Sequence, residues 1–211
     1  MNLSNFKLGI GFPLSFHMVP SAFFMSFVAM EKPPFVLFRT GNGPIDEMRN
    51  SIVREALSSG CSHLMMCDTD QIYHPETVTK LLSHELPIVG CLVYRRYPPF
   101  DPLMLRGSLG KYETIDEWEP HSLVEVDATG AGCLMFDMQV FRKMPAPWFR
   151  GRRFKGKPVG EDIGFCSDLR TAGHKIYVDT SVPAGHLSQV TITEPMWRVY
   201  REIYKPKTES Q

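Results

Sequence analysis

The chain has 211 residues, a length typical of a single domain. Hydrophobic residues make up 43% of it and charged residues 22%, so it can bury a sizeable core and is neither disordered nor fibrous. Its 23 basic and 23 acidic side chains balance, so any affinity for nucleic acids or membranes must come from a local patch.

The sequence carries no signal for a membrane or a secretory pathway. The apolar stretch at residues 19–30 is shorter than the roughly 20 residues that a membrane-spanning helix needs. No small-residue cleavage site follows it, as a secretory signal would require. The cysteines are odd in number and lie in apolar or strand-like contexts, which favours reduced thiols over disulfides. We therefore expect a cytoplasmic protein.

The first half of the chain alternates between predicted strands and predicted helices. Short or continuous apolar runs predict strands at residues 7–14, 35–39, 63–67 and 87–94. Apolar residues at helical spacing predict a helix that begins at Pro44 and ends before Gly60, and another at residues 75–83. This βαβαβ pattern implies an α/β fold with a mostly parallel central sheet flanked by helices, which binds ligands beyond the carboxyl ends of its strands.

The second half of the chain predicts further strands, one long loop and two helices. Strands at 123–129 and 133–137, on either side of Gly130-Ala131-Gly132, extend the sheet. Proline and glycine content predicts a loop at 145–158, before a helix at 161–171 and a strand at 175–182. A C-terminal helix from Thr193 spaces Trp197, Tyr200 and Tyr204 for one face, which we expect to pack against the sheet or a second copy.

Two aspartates follow the predicted strand at 63–67. Asp68 and Asp70 point to the same side, because residues i and i+2 of an extended chain share a face. Two convergent carboxylates usually bind a cation, and such hard oxygen ligands favour Mg²⁺ or Mn²⁺, which in turn bind diphosphate oxygens. The alternative interpretation is that this Asp-Thr-Asp sequence only forms a cap or a turn.

The predicted loop contains an unusual concentration of positive charge. Three aromatic residues, Trp148, Phe149 and Phe154, are interleaved with five cations: Arg150, Arg152, Arg153, Lys155 and Lys157. Such a segment is typical of a surface that binds a phosphate-bearing acceptor, a nucleic-acid strand or a diphosphate. The alternative is a solvated run of charges with no ligand.

Several segments, in order, resemble GT-A fold, nucleotide-sugar-dependent glycosyltransferases of the large inverting family two. The central one is HLMMCDTDQIYHPETVTKLL, which resembles the strand, Asp-x-Asp motif and following helix of that family. The others are RNSIVREAL, LPIVGCLVYRR, GAGCLMFDMQVF, GEDIGFCSDLRTAGHKIYVD and PAGHLS. The resemblance covers residues 7–188, and its strength lies in the order and spacing of the set. It implies a GT-A (Rossmann-like) domain over 1–192, with a C-terminal helix and tail at 193–211.

The resemblance implies roles for particular residues. Asp68, Asp70 and His186 would hold Mn²⁺ (or Mg²⁺). Asp162 would be the general base of an inverting reaction, with Glu161 as its supporting neighbour; in a retaining reaction Asp162 would instead bind the acceptor. Both acids would alternatively only complement a helix dipole. The donor would contact residues at the ends of the first strands, on the next helix and in the Asp-x-Asp motif, namely Gly11, Phe12, Pro13, Arg39, Asn42, Asp46, Arg49 and Thr69.

The sequence therefore predicts a metal-dependent glycosyltransferase that moves a sugar from a nucleotide-diphosphate donor to an acceptor hydroxyl. A glycan, a lipid-linked sugar, a protein and a hydroxylated nucleobase in DNA all stay open as acceptors. The alternative function is a nucleic-acid-binding module that uses residues 148–157 and has no transferase activity. A phosphatase with an aspartyl nucleophile fits less well, because its Asp-x-Asp normally follows the first strand of the fold.

Overall fold

The computed structural model describes residues 6–14, 18–189 and 193–203. The helices of this part of the chain are α1 (Ser21–Ala29), α2 (Ile45–Ser58), α3 (Thr77–Ser83), α4 (Gln139–Lys143), α5 (Glu161–Thr171) and α6 (Glu194–Ile203). The strands are β1 (Leu8–Leu14), β2 (Phe35–Gly41), β3 (His63–Cys67), β4 (Gln71–Ile72), β5 (Ile88–Val93), β6 (Leu105–Arg106), β7 (Glu113–Thr114), β8 (Leu123–Val126), β9 (Cys133–Asp137), β10 (Arg152–Phe154), β11 (Lys157–Val159) and β12 (Ile176–His186). The predicted residues Tyr204 and 205–211 lie outside the described part.

A central eight-stranded sheet organises the fold in the order β2-β1-β3-β9-β5-β12-β4, with β8 also paired to β12. Strands β1, β2, β3, β5 and β12 run in one direction, whereas β9, β8 and β4 are antiparallel to their neighbours. The prediction of a mostly parallel sheet in a single α/β domain is confirmed. The antiparallel strand β9 lies in the middle of the sheet, between β3 and β5.

Two apolar layers cover the faces of this sheet. On one face, α2, α4 and α5 pack through residues such as Ile52, Phe141 and Phe165. On the other face, α1 and α3 pack through residues such as Phe23 and Val78. Alternate residues of β3, β5 and β9 enter the two layers, which is why these strands are apolar without interruption.

The predicted loop at 145–158 is partly wrong, because β10 and β11 form an antiparallel hairpin there. Its two turn residues, Lys155 and Gly156, have φ values of 48° and 79°. Positive φ at both central residues is typical of a type I′ turn, whose twist matches that of the two flanking strands. Lys-Gly is a rarer sequence for this turn than Asn-Gly, so the hairpin is weakly encoded in the local pattern.

The C-terminal helix α6 begins where the sequence predicts, and the packing of its aromatic face against the sheet or a second copy stays a prediction. Trp197 is 50% exposed and Tyr200 is 51% exposed. Among the described residues, no helix has both the length and the apolar character needed to cross a bilayer.

Candidate functional site

The Asp-Thr-Asp segment lies at the carboxyl edge of the sheet, in a tight turn between β3 and β4. The Asp68 N–H donates to the carbonyl oxygen of Gly132 at 2.8 Å, and the hydroxyl of Tyr73 lies 2.7 Å from the Asp68 carbonyl oxygen. Strand β4 then pairs with the end of β12, and the Leu187 N–H donates to the Asp70 carbonyl oxygen at 2.7 Å. The turn is therefore fixed to two neighbouring strands, and its carboxylates sit where α/β sheets bind ligands.

The first carboxylate, on Asp68, belongs to a buried ionic cluster. Nη2 of Arg49 lies 2.9 Å from each Asp68 carboxylate oxygen, and Nη1 of Arg49 donates to Glu161. Arg49 is only 3% exposed. Burial lowers the pKa of Arg49, but the charges of Asp68, Glu161 and Asp162 raise it further, so the net shift is upward. We call Arg49, Asp68 and Glu161 the buried cluster.

The second carboxylate, on Asp70, lies in a more open environment. Oδ2 of Asp70 is 3.3 Å from Nε2 of His186 and 2.9 Å from Nη1 of Arg96. The side chains of Asp70 and Arg96 are 30% and 47% exposed. Burial raises the pKa of Asp70, but the hydrogen bond from His186 and the nearby positive charges outweigh it and lower the pKa overall. We call Asp70, His186 and Arg96 the open edge.

The orientation of His186 is set by the backbone. Its Nδ1 lies 2.6 Å from the carbonyl oxygen of Tyr94, which can only accept, so Nδ1 carries the proton of that hydrogen bond. Nε2 therefore turns a lone pair, or a second proton, toward the Asp70 carboxylate. The hydrogen bond to Asp70 accordingly raises the pKa of His186. Two acceptors that face each other in this way need a positive charge between them, which a proton or a metal ion can supply.

The chemistry of this donor set tests whether a divalent ion fits. In the described part of the chain, no group of three or more His, Cys, Asp or Glu side chains is placed to hold a metal ion. The predicted set of three is therefore not assembled, because Asp68 is turned into its ion pair with Arg49. Asp70 and His186 do fit as a pair, since a carboxylate and a backbone-oriented imidazole are common ligands whose remaining partners come from substrate and water.

The two predicted catalytic acids lie at the start of α5 and have different partners. Glu161 is bound to Arg49, and burial raises the pKa of this carboxyl group. Asp162 accepts the N–H of Ile163 at Oδ1, 2.7 Å away, while its Oδ2 lies 3.7 Å from the point where a Cβ on Gly130 would stand. One oxygen of Asp162 is thus held by the helix and the other faces the Gly130-Ala131-Gly132 segment.

Glycine at 132 keeps space beside the Asp-Thr-Asp turn. A Cβ at this position would lie 2.6 Å from Oδ2 of Asp68 and 2.3 Å from Nε2 of Gln71. Both distances are far below a normal contact, so a larger residue would displace these side chains. Gly132 therefore lies beside Asp68, and Gly130 lies beside Asp162.

Three of the predicted donor-binding residues lie within β1 and serve packing. A Cβ on Gly11 would lie 2.4 Å from Cγ2 of Ile52, so glycine permits the close approach of β1 to α2. The ring of Phe12 packs edge-on against Phe23 and Phe27. Pro13 is buried as well. These residues therefore contribute to the packing of the core and of the sheet.

The other predicted donor-binding residues are spread along one side of the site. Arg39 and Asn42 are exposed, and Asn42 has a φ of 60° in the connection between β2 and α2. Asp46 accepts the N–H of Gly151 at 3.2 Å, which joins the start of α2 to the segment before the hairpin. Thr69 is half-buried between the two aspartates. Of this set, Arg49 and Thr69 are brought directly beside the carboxylates.

Asn50 is a structural residue that the sequence analysis did not single out. Its side chain is fully buried, accepts the N–H groups of Trp148 and Phe149 at 3.0 Å each, and donates to the Phe149 carbonyl oxygen at 2.7 Å. Trp148 and Phe149 are therefore held in the core and cannot stack on a ligand. The sequence signal that indicates such a role is a polar residue, Asn50, on the apolar face of the predicted helix.

The five predicted cations divide into two groups. Arg152 binds both carboxylate oxygens of Asp168, at 3.1 and 2.5 Å, and Arg150 lies 3.2 Å from the same carboxylate. These two side chains tie the hairpin to α5. Three side chains of the hairpin are exposed: Arg153, Lys155 and Lys157.

Comparisons with known proteins agree with this architecture. No family model and no curated protein matches the chain. Among solved structures, the crystal structure of A197 from STIV is similar over 87% of this chain and 86% of that chain, with a TM-score of 0.61 and 16% identity. GalNAc-T7, crystallised with UDP, GalNAc and Mn²⁺, is similar over 88% of this chain, with a TM-score of 0.62 and 10% identity. This chain spans 44% of the GalNAc-T7 chain. Because GalNAc-T7 is a GT-A glycosyltransferase, these likenesses give the chain a GT-A-like fold.

Proposed function

We propose that this protein is a metal-dependent glycosyltransferase that transfers a sugar from a nucleotide-diphosphate donor to an acceptor hydroxyl. The observation that carries the proposal is the open edge. There, His186 is oriented by the Tyr94 carbonyl oxygen so that its Nε2 faces the Asp70 carboxylate, at the ligand-binding edge of a GT-A-like sheet. The solved neighbour GalNAc-T7, which contains UDP, GalNAc and Mn²⁺, supports the same choice of ligands.

Asp70 and His186 would hold the divalent ion in this proposal. Such an ion supplies positive charge that stabilises the leaving nucleoside diphosphate. Mixed oxygen and nitrogen ligands favour Mn²⁺ over Mg²⁺. Arg96, whose side chain is 47% exposed, can move its hydrogen bond from Asp70 to a donor phosphate.

Asp162 would act as the general base of an inverting transfer. Its Oδ2 accepts the proton of the acceptor hydroxyl while that oxygen bonds to the anomeric carbon, and the nucleoside diphosphate leaves with the electrons of the broken C–O bond. Glu161 is tied to Arg49, so its role is to position the first turn of α5. Both acids lie in the first turn of α5.

Thermal unfolding with nucleotides tests the donor site. UDP, GDP, CDP and TDP are each added with Mn²⁺ or with a chelator, to the wild type and to Asp70→Ala and His186→Ala. Ligand at a hundred times its dissociation constant adds about 2.7 kcal/mol, which raises the midpoint by several degrees in a chain of this size. We expect one nucleotide to stabilise the wild type only with Mn²⁺, and neither variant to respond.

Asp116→Ala is the matched control, because it removes an exposed carboxylate from the connection between β7 and β8. It should retain the full Mn²⁺-dependent shift. If no nucleotide stabilises the wild type, or if the shift survives in both Asp70→Ala and His186→Ala, the proposed donor site is wrong. Once the nucleotide is known, the anomeric configuration of the product distinguishes an inverting from a retaining reaction.

A further inference from the structure

Two exposed surfaces flank the proposed site and have no role in donor binding. One is a turn that carries Tyr97 and Phe100, here called the aromatic turn. The other is the β10–β11 hairpin with its exposed cations, here called the basic hairpin. Each is connected by hydrogen bonds or by the chain itself to a residue of the site.

The aromatic turn presents two rings to solvent. The Phe100 N–H donates to the Tyr97 carbonyl oxygen at 2.9 Å, which closes a four-residue turn with these two residues at its ends. Tyr97 is 70% exposed and Phe100 is 53% exposed. Phe100 also has a φ of 64°, a conformation that costs energy in a bulky residue and is concentrated at ligand-binding positions.

This turn is attached directly to the open edge. Arg96, next to Tyr97, contacts Asp70 through Nη1 at 2.9 Å, and its carbonyl oxygen accepts the hydroxyl of Ser188 at 3.2 Å. Tyr94, at the base of the same loop, orients His186. The exposed rings therefore lie at the rim of the proposed transfer site.

The basic hairpin is fixed on one face and exposed on the other. Arg152 points inward to Asp168, and Phe154 packs so closely against Gly110 that a Cβ there would be 2.1 Å from the ring. Three cations of the hairpin are nevertheless exposed: Arg153 on the opposite face, Lys155 in the turn, and Lys157, which pairs with Phe154 across the hairpin. Strand β11 runs into Gly160 and then into the α5 residues Glu161 and Asp162.

We propose that the acceptor is a single-stranded nucleic acid, whose phosphates lie along the basic hairpin and whose bases stack on the aromatic turn. That this nucleic acid is an acceptor rests on the proposed transferase function. That the protein binds it at all rests on the two surfaces alone. A cluster of exposed cations matches a partner whose negative charge repeats, and exposed rings match unpaired bases. Because the whole chain is neutral, the charge is a local feature of this rim.

Fluorescence anisotropy with labelled oligothymidine and oligouridine of roughly 12 nucleotides tests the inference, since single-stranded sites span about 4–16 nucleotides. The first variant replaces the hairpin cations by Arg153→Gln, Lys155→Gln and Lys157→Gln. It should bind more weakly, and the slope of log affinity against log salt should fall by about 2, because each lost phosphate contact removes about 0.7. Tyr97→Ala should weaken binding about 5- to 150-fold through one lost base stack.

The control removes three exposed cations from other helices, by Arg54→Gln, Lys80→Gln and Arg201→Gln. It should bind as the wild type does. Equal losses in the control and hairpin variants, or preferential binding to anionic phosphatidylserine vesicles, would overturn the inference. Nucleotide binding with Mn²⁺, measured on the same samples, separates the two proposals. Binding of UDP or another nucleotide without any oligonucleotide binding sinks only the acceptor, whereas oligonucleotide binding without nucleotide binding sinks the transferase and leaves a nucleic-acid-binding module.

Discussion

The two carboxylates of one tripeptide sit in opposite electrostatic environments. Asp68 shares a buried guanidinium with Glu161, and the Arg49 side chain between them is only 4% exposed. Asp70, two residues later, meets the half-exposed Arg96 and the imidazole of His186. The buried cluster joins α2, the β3–β4 turn and α5, whereas the open edge joins the same turn to the end of β12 and to the loop after β5.

This difference separates a positioning function from a ligand-binding function. Ions in a buried cluster have lost their water, so each depends on its partners and cannot leave without a large energetic cost. Ions at an exposed edge exchange partners easily, because water replaces a lost contact. In the proposed function, Asp68 would therefore fix the geometry of the site, and Asp70 would be the carboxylate that takes a new cation.

Arg49→Met gives the largest expected effect and tests the buried cluster. The change leaves Glu161 and the partly exposed Asp68 without their buried cation, which should reduce the free energy of unfolding by roughly 3–5 kcal/mol. Urea denaturation at neutral pH measures it. The double variant Arg49→Met with Glu161→Gln should recover part of the loss, since it removes one of the stranded charges. A loss below about 1 kcal/mol in the single variant would mean that the cluster is no more dependent on its partners than a surface pair.

His84→Ala gives an intermediate effect and uses a second Asp–His pair as a reference for the open edge. Nε2 of His84 lies 2.7 Å from Oδ2 of Asp179, whose side chain is 4% exposed. Loss of this hydrogen bond to a charged group should cost about 1.5 kcal/mol at pH 7. It should leave the Mn²⁺-dependent stabilisation by nucleotide intact, because the pair lies outside the proposed site.

The same pair makes a signed prediction for acid. Burial raises the pKa of Asp179, but hydrogen bonds from Ser181 and His84 outweigh it, so the pKa is lower than in the unfolded chain. The stabilisation is therefore fully present above about pH 4 and is lost as the pH falls through the lower folded value. The free energy of unfolding of His84→Ala, measured at pH 7 and pH 3, should fall below that of the wild type by less at pH 3 than at pH 7. A difference that is larger at pH 3 would contradict a stabilising hydrogen bond between His84 and the charged Asp179.

Arg96→Ala gives the smallest expected effect on stability and tests the open edge. Its ion pair with Asp70 is exposed, so the change should alter the free energy of unfolding by less than about 1 kcal/mol. Calorimetric titration with Mn²⁺ alone should show unchanged or tighter binding, since the variant removes a competing cation from Asp70. If Arg96→Ala lowered the free energy of unfolding as much as Arg49→Met does, the distinction between the buried cluster and the open edge would be wrong.

Local patterns predict most of the secondary structure around the site. Strand β3 and helix α5 have the predicted bounds, because a continuous apolar run and an acidic first turn are local signals. The β10–β11 hairpin was missed because Lys-Gly carries little of the usual turn signal. The sequence pattern does not predict helix α1, because its apolar residues surround the helix and give no clear period.

The residues of the proposed site come from the resemblance, whereas their partners are visible only in the structure. The resemblance placed Asp70, His186 and Asp162 among the functional residues, and the structure brings Asp70 and His186 within 3.3 Å. It also grouped Asp68 with the metal ligands, yet nothing in the local pattern shows that Arg49 reaches it. The interpretation of Trp148 and Phe149 as ligand-facing aromatics was wrong, because Asn50 holds their backbone within the core.

By itself, the sequence determined the alternation of the main strands and helices, the balance of charges, and the edge of the sheet at which acids collect. Those properties depend on neighbours along the chain, through side-chain period, helix ends and turn residues. Only the tertiary structure determined which charged side chains form ion pairs with each other. The Arg49 contacts with Asp68 and Glu161 join residues far apart in sequence, and their energy depends on burial, a property that no short stretch of sequence contains.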